Sequence, residues 1–283
     1  MRTTTKLRLA DGLRWGLGVV ERCGVRLPSV VERGGIRWPI DWHEAIDLAI
    51  ATTGAFDRPV QRALRQRLRP GAVVYDIGAN RGAIALPMAR SVGEHGAVHA
   101  FEATADAVAA LQRTLALNPS LAPRVRVHHV FLSDGASAPD GVDASWPVGR
   151  PRDPEAPHGG RRRPLGDAEV ESLDERVRRL GLPPPDLVKL DVDGFEASVL
   201  AGGAELLRRH RPPIVLEIAP DAHDVVSAGG FESMLAVLRG LRYRLETTDG
   251  ADLPVDDAGL RSRVARGSGI AAVAVPDAPA GAR

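Results

Sequence analysis

A single cysteine in 283 residues, Cys23, rules out an internal disulfide and a cysteine-based zinc site. Charge of one sign is missing too: 37 Lys+Arg face 36 Asp+Glu, for a formal net charge of +1. That balance speaks against a chain whose main task is to coat a nucleic-acid backbone, and no basic stripe interleaved with aromatics appears. Aromatics make up only 4% of the residues, so Trp15, Trp38, Trp42 and Trp146 each carry information. No apolar run approaches the roughly 20 residues that span a bilayer. Leu13 to Val20 is short, contains Arg14 and is followed by no small-residue cleavage site, so a cytoplasmic protein without a membrane span is expected. With 44% hydrophobic residues the chain can bury a large core, as one domain with additions or as two.

From residue 71 to 276 helical and extended patterns alternate. The spacing predicts strands over Val73–Ile77, Ala97–Phe101, Val125–Leu132, Leu187–Leu190 and Ile214–Ile218, with weaker ones over Tyr243–Glu246 and Ile270–Val275. Helices are expected over Ala83–Ser91, Ala105–Leu117, Leu173–Leu180, Glu196–Arg209 and Phe231–Leu241. Continuous apolar strands between helices predict a doubly wound α/β sheet of Rossmann type, with helices on both faces. Residues 1–70 read as a mostly helical lead-in, with one extended interruption at Ile36–Ile40, a helix from an Asp41 cap through Ile50 and another from Pro59 to Leu68. Residues 135–168 are rich in Pro, Gly, Asp and Arg, follow neither hydrophobic period, and read as a loop insertion able to act as a lid. Residues 277–283 read as a frayed tail.

The chemistry concentrates where strands end. Asp76-Ile77-Gly78-Ala79-Asn80-Arg81-Gly82 closes a strand, turns through two glycines and opens a helix, which bares backbone to a ligand at the carboxyl edge of the sheet. About twenty residues after Gly82, Glu102 ends the next strand, where it can accept from a ribose diol. The Gly-x-x-x-Gly spacing departs from the Gly-x-Gly-x-x-Gly of dinucleotide sites. It therefore favours an adenosyl ligand without pyrophosphate, S-adenosylmethionine, over NAD. Ser133-Asp134 ends the third strand, near where an adenine edge would lie. Asp76, Gly78, Ala79, Asn80, Gly82, Glu102, Ser133 and Asp134 are thus the candidate cofactor residues.

These residues resemble the FkbM-type family of S-adenosylmethionine-dependent methyltransferases. The similarity runs through Glu44-Ala45-Ile46-Asp47, Gly54-Ala55-Phe56, the Asp76–Asn80 segment, Phe101-Glu102, Val188-Lys189-Leu190-Asp191-Val192-Asp193-Gly194-Phe195-Glu196, Val199-Leu200 and Pro213–Glu217. Within the insertion, Ser145-Trp146-Pro147 and His158-Gly159-Gly160 are similar to one branch of that family. Asp193 stands where the family more often has Glu, and Arg242 where a glycine turn is usual. The resemblance implies O-methylation of a hydroxyl on a saccharide or polyketide-type metabolite.

A hydroxyl needs a base. Asp191 and Asp193 end a strand on the Gly78 edge, and alternation puts both on one face. Glu217 ends another strand, and His158 has a suitable unperturbed pKa. Asp191, Asp193, His158 and Glu217 are therefore the candidate catalytic residues. Glu196, in the first turn of the next helix, suits the helix dipole without catalysis. Asp191, Asp193 and Glu217 would form an oxygen-rich set able to hold Mg²⁺, which no spacing requires. A non-catalytic protein that kept the fold remains an alternative, as does, further off, an NAD-dependent oxidoreductase. All four tryptophans fall in the lead-in and the insertion, so those additions are expected to shape the acceptor pocket.

Overall fold

The computed structural model describes residues 26–135, 139–145 and 161–277. Its described part begins with a hairpin whose second strand occupies the extended stretch expected at Ile36–Ile40. Strand β1 (Val30–Arg33) pairs antiparallel with β2 (Ile36–Pro39). Gly34 and Gly35 join them at φ +60° and +70°, the positive values a tight two-residue hairpin requires. The next helix, α1 (Ala45–Thr53), starts later than the Asp41 cap predicts. The Asp41 carboxylate instead accepts from the His43 N–H at 2.9 Å, closing a turn ahead of the helix. Helix α2 (Arg58–Arg67) then leads to strand β3 (Val73–Ile77).

The α/β alternation follows: α3 (Ala85–Val92), β4 (Ala97–Glu102), α4 (Ala105–Ala116) and β5 (Val125–Leu132). The insertion expected to be a structureless loop holds an antiparallel pair, β6 (Gly141–Ser145) with β7 (Arg161–Pro164). Charged and proline residues hide this hairpin from any hydrophobic period. A Cβ on Gly141 would come 2.5 Å from the Arg163 carbonyl oxygen, so the pairing needs glycine there. Arg163 is no free solvated arginine, since it pairs with Asp106 of α4 at 3.1 Å.

A three-residue edge strand, β8 (Glu169–Glu171), precedes α5 (Leu173–Leu180) and β9 (Leu187–Leu190). The predicted helix over 196–209 is two helices, α6 (Glu196–Gly202) and α7 (Ala204–His210). They divide at Gly203, where a Cβ would lie 2.9 Å from Leu173 of α5. Strand β10 (Ile214–Ile218) is followed by α8 (Pro220–Val226), α9 (Gly230–Gly240), β11 (Tyr243–Thr247), β12 (Asp252–Leu253), α10 (Asp257–Arg263) and β13 (Ile270–Pro276).

Nine strands form the central sheet in the order β12-β11-β13-β10-β9-β3-β4-β5-β8. From β10 to β8 every neighbour is parallel, whereas β13 runs antiparallel between β10 and β11. Strand alternation splits the core between two faces: Val74 joins one apolar cluster, Tyr75 and Ile77 the other. The chain builds outward from β3 in one direction through β4 and β5, then in the other through β9 and β10. The β3/β9 boundary is therefore the topological switch point, where open α/β sheets bind ligands.

Two histidines sit inside this sheet. His99 Nδ1 of β4 lies 3.0 Å from His128 Nε2 of β5, the rings stacked within 15° of parallel, and Tyr75 and Phe101 pack around them. Burial pushes both imidazoles down from 6.5 to about 4, so both are neutral at pH 7. Depressed histidines give stability that is full above the unfolded value and lost as pH falls toward the folded one. At about pH 5 the wild type should lose about 2 kcal/mol per ring relative to pH 7, compared with the His99→Gln/His128→Gln double variant. Urea unfolding at the two pH values checks this; equal slopes in the two proteins would contradict it.

Candidate functional site

The glycine loop after β3 is tied down from three sides. The Gly78 and Ala79 N–H groups both donate to the Phe101 carbonyl, at 2.9 and 3.0 Å. Asn80, held at φ +46°, donates its N–H to Glu102 Oε2 at 2.8 Å. Glu102 Oε1 accepts from the Thr104 N–H and hydroxyl at 2.8 and 2.9 Å. Because an ionised carboxylate offers about four lone-pair sites, Glu102 keeps acceptor capacity for a further donor. The third tie comes from the lead-in. Arg81 pairs at 2.7 Å with the buried Asp47 of α1, whose carboxyl is raised to about 6 by burial that outweighs the arginine.

The two loop glycines have different work. Gly78, at φ +77°, lies so close to the end of β9 that a Cβ would stand 1.8 Å from the Asp191 carbonyl oxygen. Gly82, at φ +87°, faces inward, where a Cβ would meet Leu111 at 2.5 Å and Leu86 at 2.7 Å. It therefore lets α3 and α4 approach each other.

Across the switch point, β9 carries a residue whose role the sequence reading missed. Lys189 is 4% exposed, and its ammonium donates to the carbonyls of Gly78 (2.8 Å) and Ile77 (3.3 Å). It stands 3.5 Å from Asp76 Oδ1 and 3.5 Å from Asp191 Oδ2. Burial pulls the Lys189 pKa down, but Asp191 and Asp76 outweigh it and push the pKa above its ordinary value. Asp76 is fully buried, and burial raises its pKa in turn. Neither Asp76 oxygen accepts a hydrogen bond among the described residues, so Lys189 is its compensating charge. A lysine inside an otherwise apolar strand was the available signal, since such a group is buried only when paired.

Beyond β9 the chain turns through Asp193 at φ +51° and Gly194 at φ +104°. A Cβ on Gly194 would lie 2.6 Å from Val226 of α8. Glu196 clamps this turn: Oε1 accepts from Val192 N–H (2.8 Å), Oε2 from Gly194 N–H (3.0 Å), and His223 Nε2 lies 3.3 Å away. Its task is to shape the turn, which goes beyond the helix-dipole interaction expected of it. Burial raises the Asp193 pKa well above its ordinary value, and the carboxylates of Asp191, Glu196 and Glu217 add to the effect.

Between these two edges opens a cleft lined from both sides by residues at the strand ends. Of the candidate residues, Gly78, Ala79, Asn80, Glu102, Asp191 and Asp193 line it. Asp76 and Gly82 do not line it. Glu217 is turned against Gly269, where a Cβ would come 2.1 Å from its Oε1, and does not line the cleft. Ser133 and Asp134 are likewise set apart. Asp134 donates its N–H to Ser198 Oγ and accepts from that hydroxyl, both at 3.0 Å, which fastens the end of β5 to α6. His158 lies outside the described residues. Among the described residues no three His, Cys, Asp or Glu side chains are grouped to hold a metal ion.

Among the described residues the additions reach the cleft through residues other than tryptophan. Ile46 and Phe56 of the lead-in and Val142 of the insertion line it. Trp38 is buried in the core beside β1, and the Trp42 ring nitrogen donates to the Pro28 carbonyl at 2.9 Å. Trp15 and Trp146 lie outside the described residues.

The sequence profile of the methyltransferase FkbM domain matches residues 76–245, which is more than half of the chain. The protein belongs to this family of S-adenosylmethionine-dependent methyltransferases. Among solved structures, it is similar to the methyltransferase FkbM from Methylobacillus flagellatus at 15% identity, over 90% of this chain and 65% of that one, with a TM-score of 0.46. A SAM-dependent O-methyltransferase from Thermotoga maritima aligns at 13% identity over 92% and 82% of the two chains, with a TM-score of 0.46. TomG, an O-methyltransferase from Streptomyces achromogenes solved in complex with SAM, aligns at 17% identity over 79% and 82%, with a TM-score of 0.44. No curated protein matches the sequence.

Proposed function

We propose that this protein is a cytoplasmic O-methyltransferase that uses S-adenosylmethionine to methylate a hydroxyl of a saccharide or polyketide-type metabolite. One observation carries the reading: a cleft at the switch point is walled by Glu102 on one side and by Asp191 and Asp193 on the other. The residues fit the group, because Glu102 lines the cleft and, fixed by Asn80 and Thr104, retains lone pairs for a ribose diol. The bare backbone at Gly78 and Ala79 leaves room beside it. S-adenosylmethionine supplies an electrophilic methyl group.

What remains for the chain is to orient the acceptor hydroxyl and take its proton. Asp191, part-exposed and paired with Lys189, is placed to accept a hydrogen bond from that hydroxyl and fix its direction. Asp193, on the same wall of the cleft as Asp191, is the carboxylate placed to take the proton. Phe101, Phe131 and Phe195 line the same cleft and keep water away from the reacting centre. No helix among the described residues is long and apolar enough to cross a membrane.

The test is release of S-adenosylhomocysteine from a panel of sugar and polyketide alcohols. Asp193→Asn should lower kcat by about 100-fold or more while leaving cofactor affinity within about threefold. If Asp193→Asn turns over like the wild type, the proton goes elsewhere, and His158→Ala is the next variant to measure.

A further inference from the structure

A second, wider cleft lies beside the first, and five arginines line it: Arg33, Arg58, Arg62, Arg65 and Arg90, with Asp249 as its single acidic residue. In a chain whose formal charge is only +1, that concentration is not background. Among the described residues none of the five has a carboxylate within 4 Å, although Arg62 lies near enough to Asp249 to help hold its carboxyl below the ordinary value. Two are fixed by backbone carbonyls. Arg33 donates through Nε and Nη2 to Ala51 O, at 3.1 and 2.7 Å, and through Nη1 to Glu32 O, and Arg58 donates to Thr53 O. Arg90 lies over the hairpin turn, where a Cβ on Gly35 would come 2.8 Å from its Nη1.

Arg58, Arg62 and Arg65 share one face of α2 at spacings of four and three, where like charges repel, and Arg58 stands at the positive end of the helix. Asp57, which caps that end, directs its carboxylate to the Val60 N–H. Guanidiniums outnumbering carboxylates five to one, two of them fixed by backbone carbonyls, around a concave surface match the requirements of phosphate recognition.

The two clefts share a wall. Phe56 and Ala83 line both, and the buried Gln61 holds that wall together by donating to the Phe56 carbonyl at 2.8 Å and lying 3.5 Å from the Ala83 carbonyl. A molecule seated among the arginines can therefore reach over Phe56 toward Asp191 and Asp193. We propose that the arginine cleft binds a phosphate or diphosphate group on the acceptor, so that the substrate class is a phosphorylated hydroxyl compound. This rests on the methyltransferase reading and narrows its substrate. A concave site favours a small phosphorylated molecule over an acidic protein surface.

The probe is inorganic diphosphate, titrated calorimetrically at low salt into the full chain, with S-adenosylmethionine titrated separately. Arg62 and Arg65 are exposed, so Arg62→Gln/Arg65→Gln should fold normally. It should weaken diphosphate binding by about tenfold or more and leave S-adenosylmethionine affinity unchanged. Arg208→Gln/Arg209→Gln, on the distant exposed face of α7, removes the same charge and should change diphosphate binding by less than about twofold. Equal weakening by both pairs would mean unspecific charge attraction and would overturn the proposal. So would absence of diphosphate binding in a protein that binds S-adenosylmethionine, the outcome expected if an acidic protein is the true occupant. Loss of S-adenosylmethionine binding in the parent chain would instead strike at the methyltransferase reading itself.

Discussion

Gly78→Ala should weaken S-adenosylmethionine binding by about 100-fold or more and also destabilise the fold. The added Cβ would stand 1.8 Å from the Asp191 carbonyl oxygen, and both partners are backbone, so no side chain can swing aside. The two strand ends that wall the cleft must part, and the Lys189 bonds to the Ile77 and Gly78 carbonyls part with them. Gly71→Ala is the control. Gly71 has a similar φ of +83° with nothing within 4 Å of a Cβ, so that variant meets only the backbone cost of about 1 kcal/mol. Equal cofactor affinity in the two variants would show that the close approach is not what shapes the site.

Lys189→Met should cost about 3–5 kcal/mol of stability, the usual result of stranding a buried charge. Asp76 has no hydrogen-bond partner to replace the ammonium, and Asp191, part-exposed, can turn to water. The sign of the coupling identifies the cause. Adding Asp76→Asn to Lys189→Met should restore part of the loss if the stranded carboxylate is responsible; if lost packing is responsible, the two losses add. The pH dependence has a fixed direction as well. A carboxyl with a raised folded pKa contributes stability at low pH that is lost as pH rises, so Lys189→Met should be less damaging at acid than at alkaline pH. Denaturant midpoints of the four proteins at two pH values test both statements.

Those two residues also mark where the sequence was legible and where it was not. Strands Leu187–Leu190 and Ile214–Ile218 lie at their expected positions because central parallel strands are apolar on both faces and leave a continuous run. Gly78, Asn80, Glu102, Asp191 and Asp193 could be proposed together because all stand where strands end on one edge of a doubly wound sheet. Lys189 could be placed in its strand but not given a task, since its partners Asp76 and Asp191 are assembled by the register of β9 beside β3. The Asp47–Arg81 pair that ties the lead-in to the glycine loop is hidden for the same reason.

Strand β2 was legible from the alternation of Ile36 and Trp38, but its partner β1 and the β6–β7 hairpin escaped notice, since Val30–Arg33 is half-exposed or exposed and Arg161-Arg162-Arg163 carries no apolar face. Glu196 was legible as a first-turn acid but not as the clamp on Val192 and Gly194, because that depends on the left-handed turn at Asp193. Of the tryptophans among the described residues, Trp38 and Trp42 pack or anchor the lead-in, and the lead-in reaches the cleft through Ile46 and Phe56.

The central claim is that the cleft between Glu102 and Asp191 holds S-adenosylmethionine. Isothermal titration of the purified chain with that cofactor, in parallel with the Glu102→Ala variant, tests it most directly. The account predicts binding well below the millimolar range in the parent and a loss of about tenfold or more in the variant, where the ribose loses its carboxylate and Asn80 and Thr104 lose their anchor. A folded parent that shows no binding at millimolar cofactor, or a Glu102→Ala variant that binds as tightly as the parent, would contradict it.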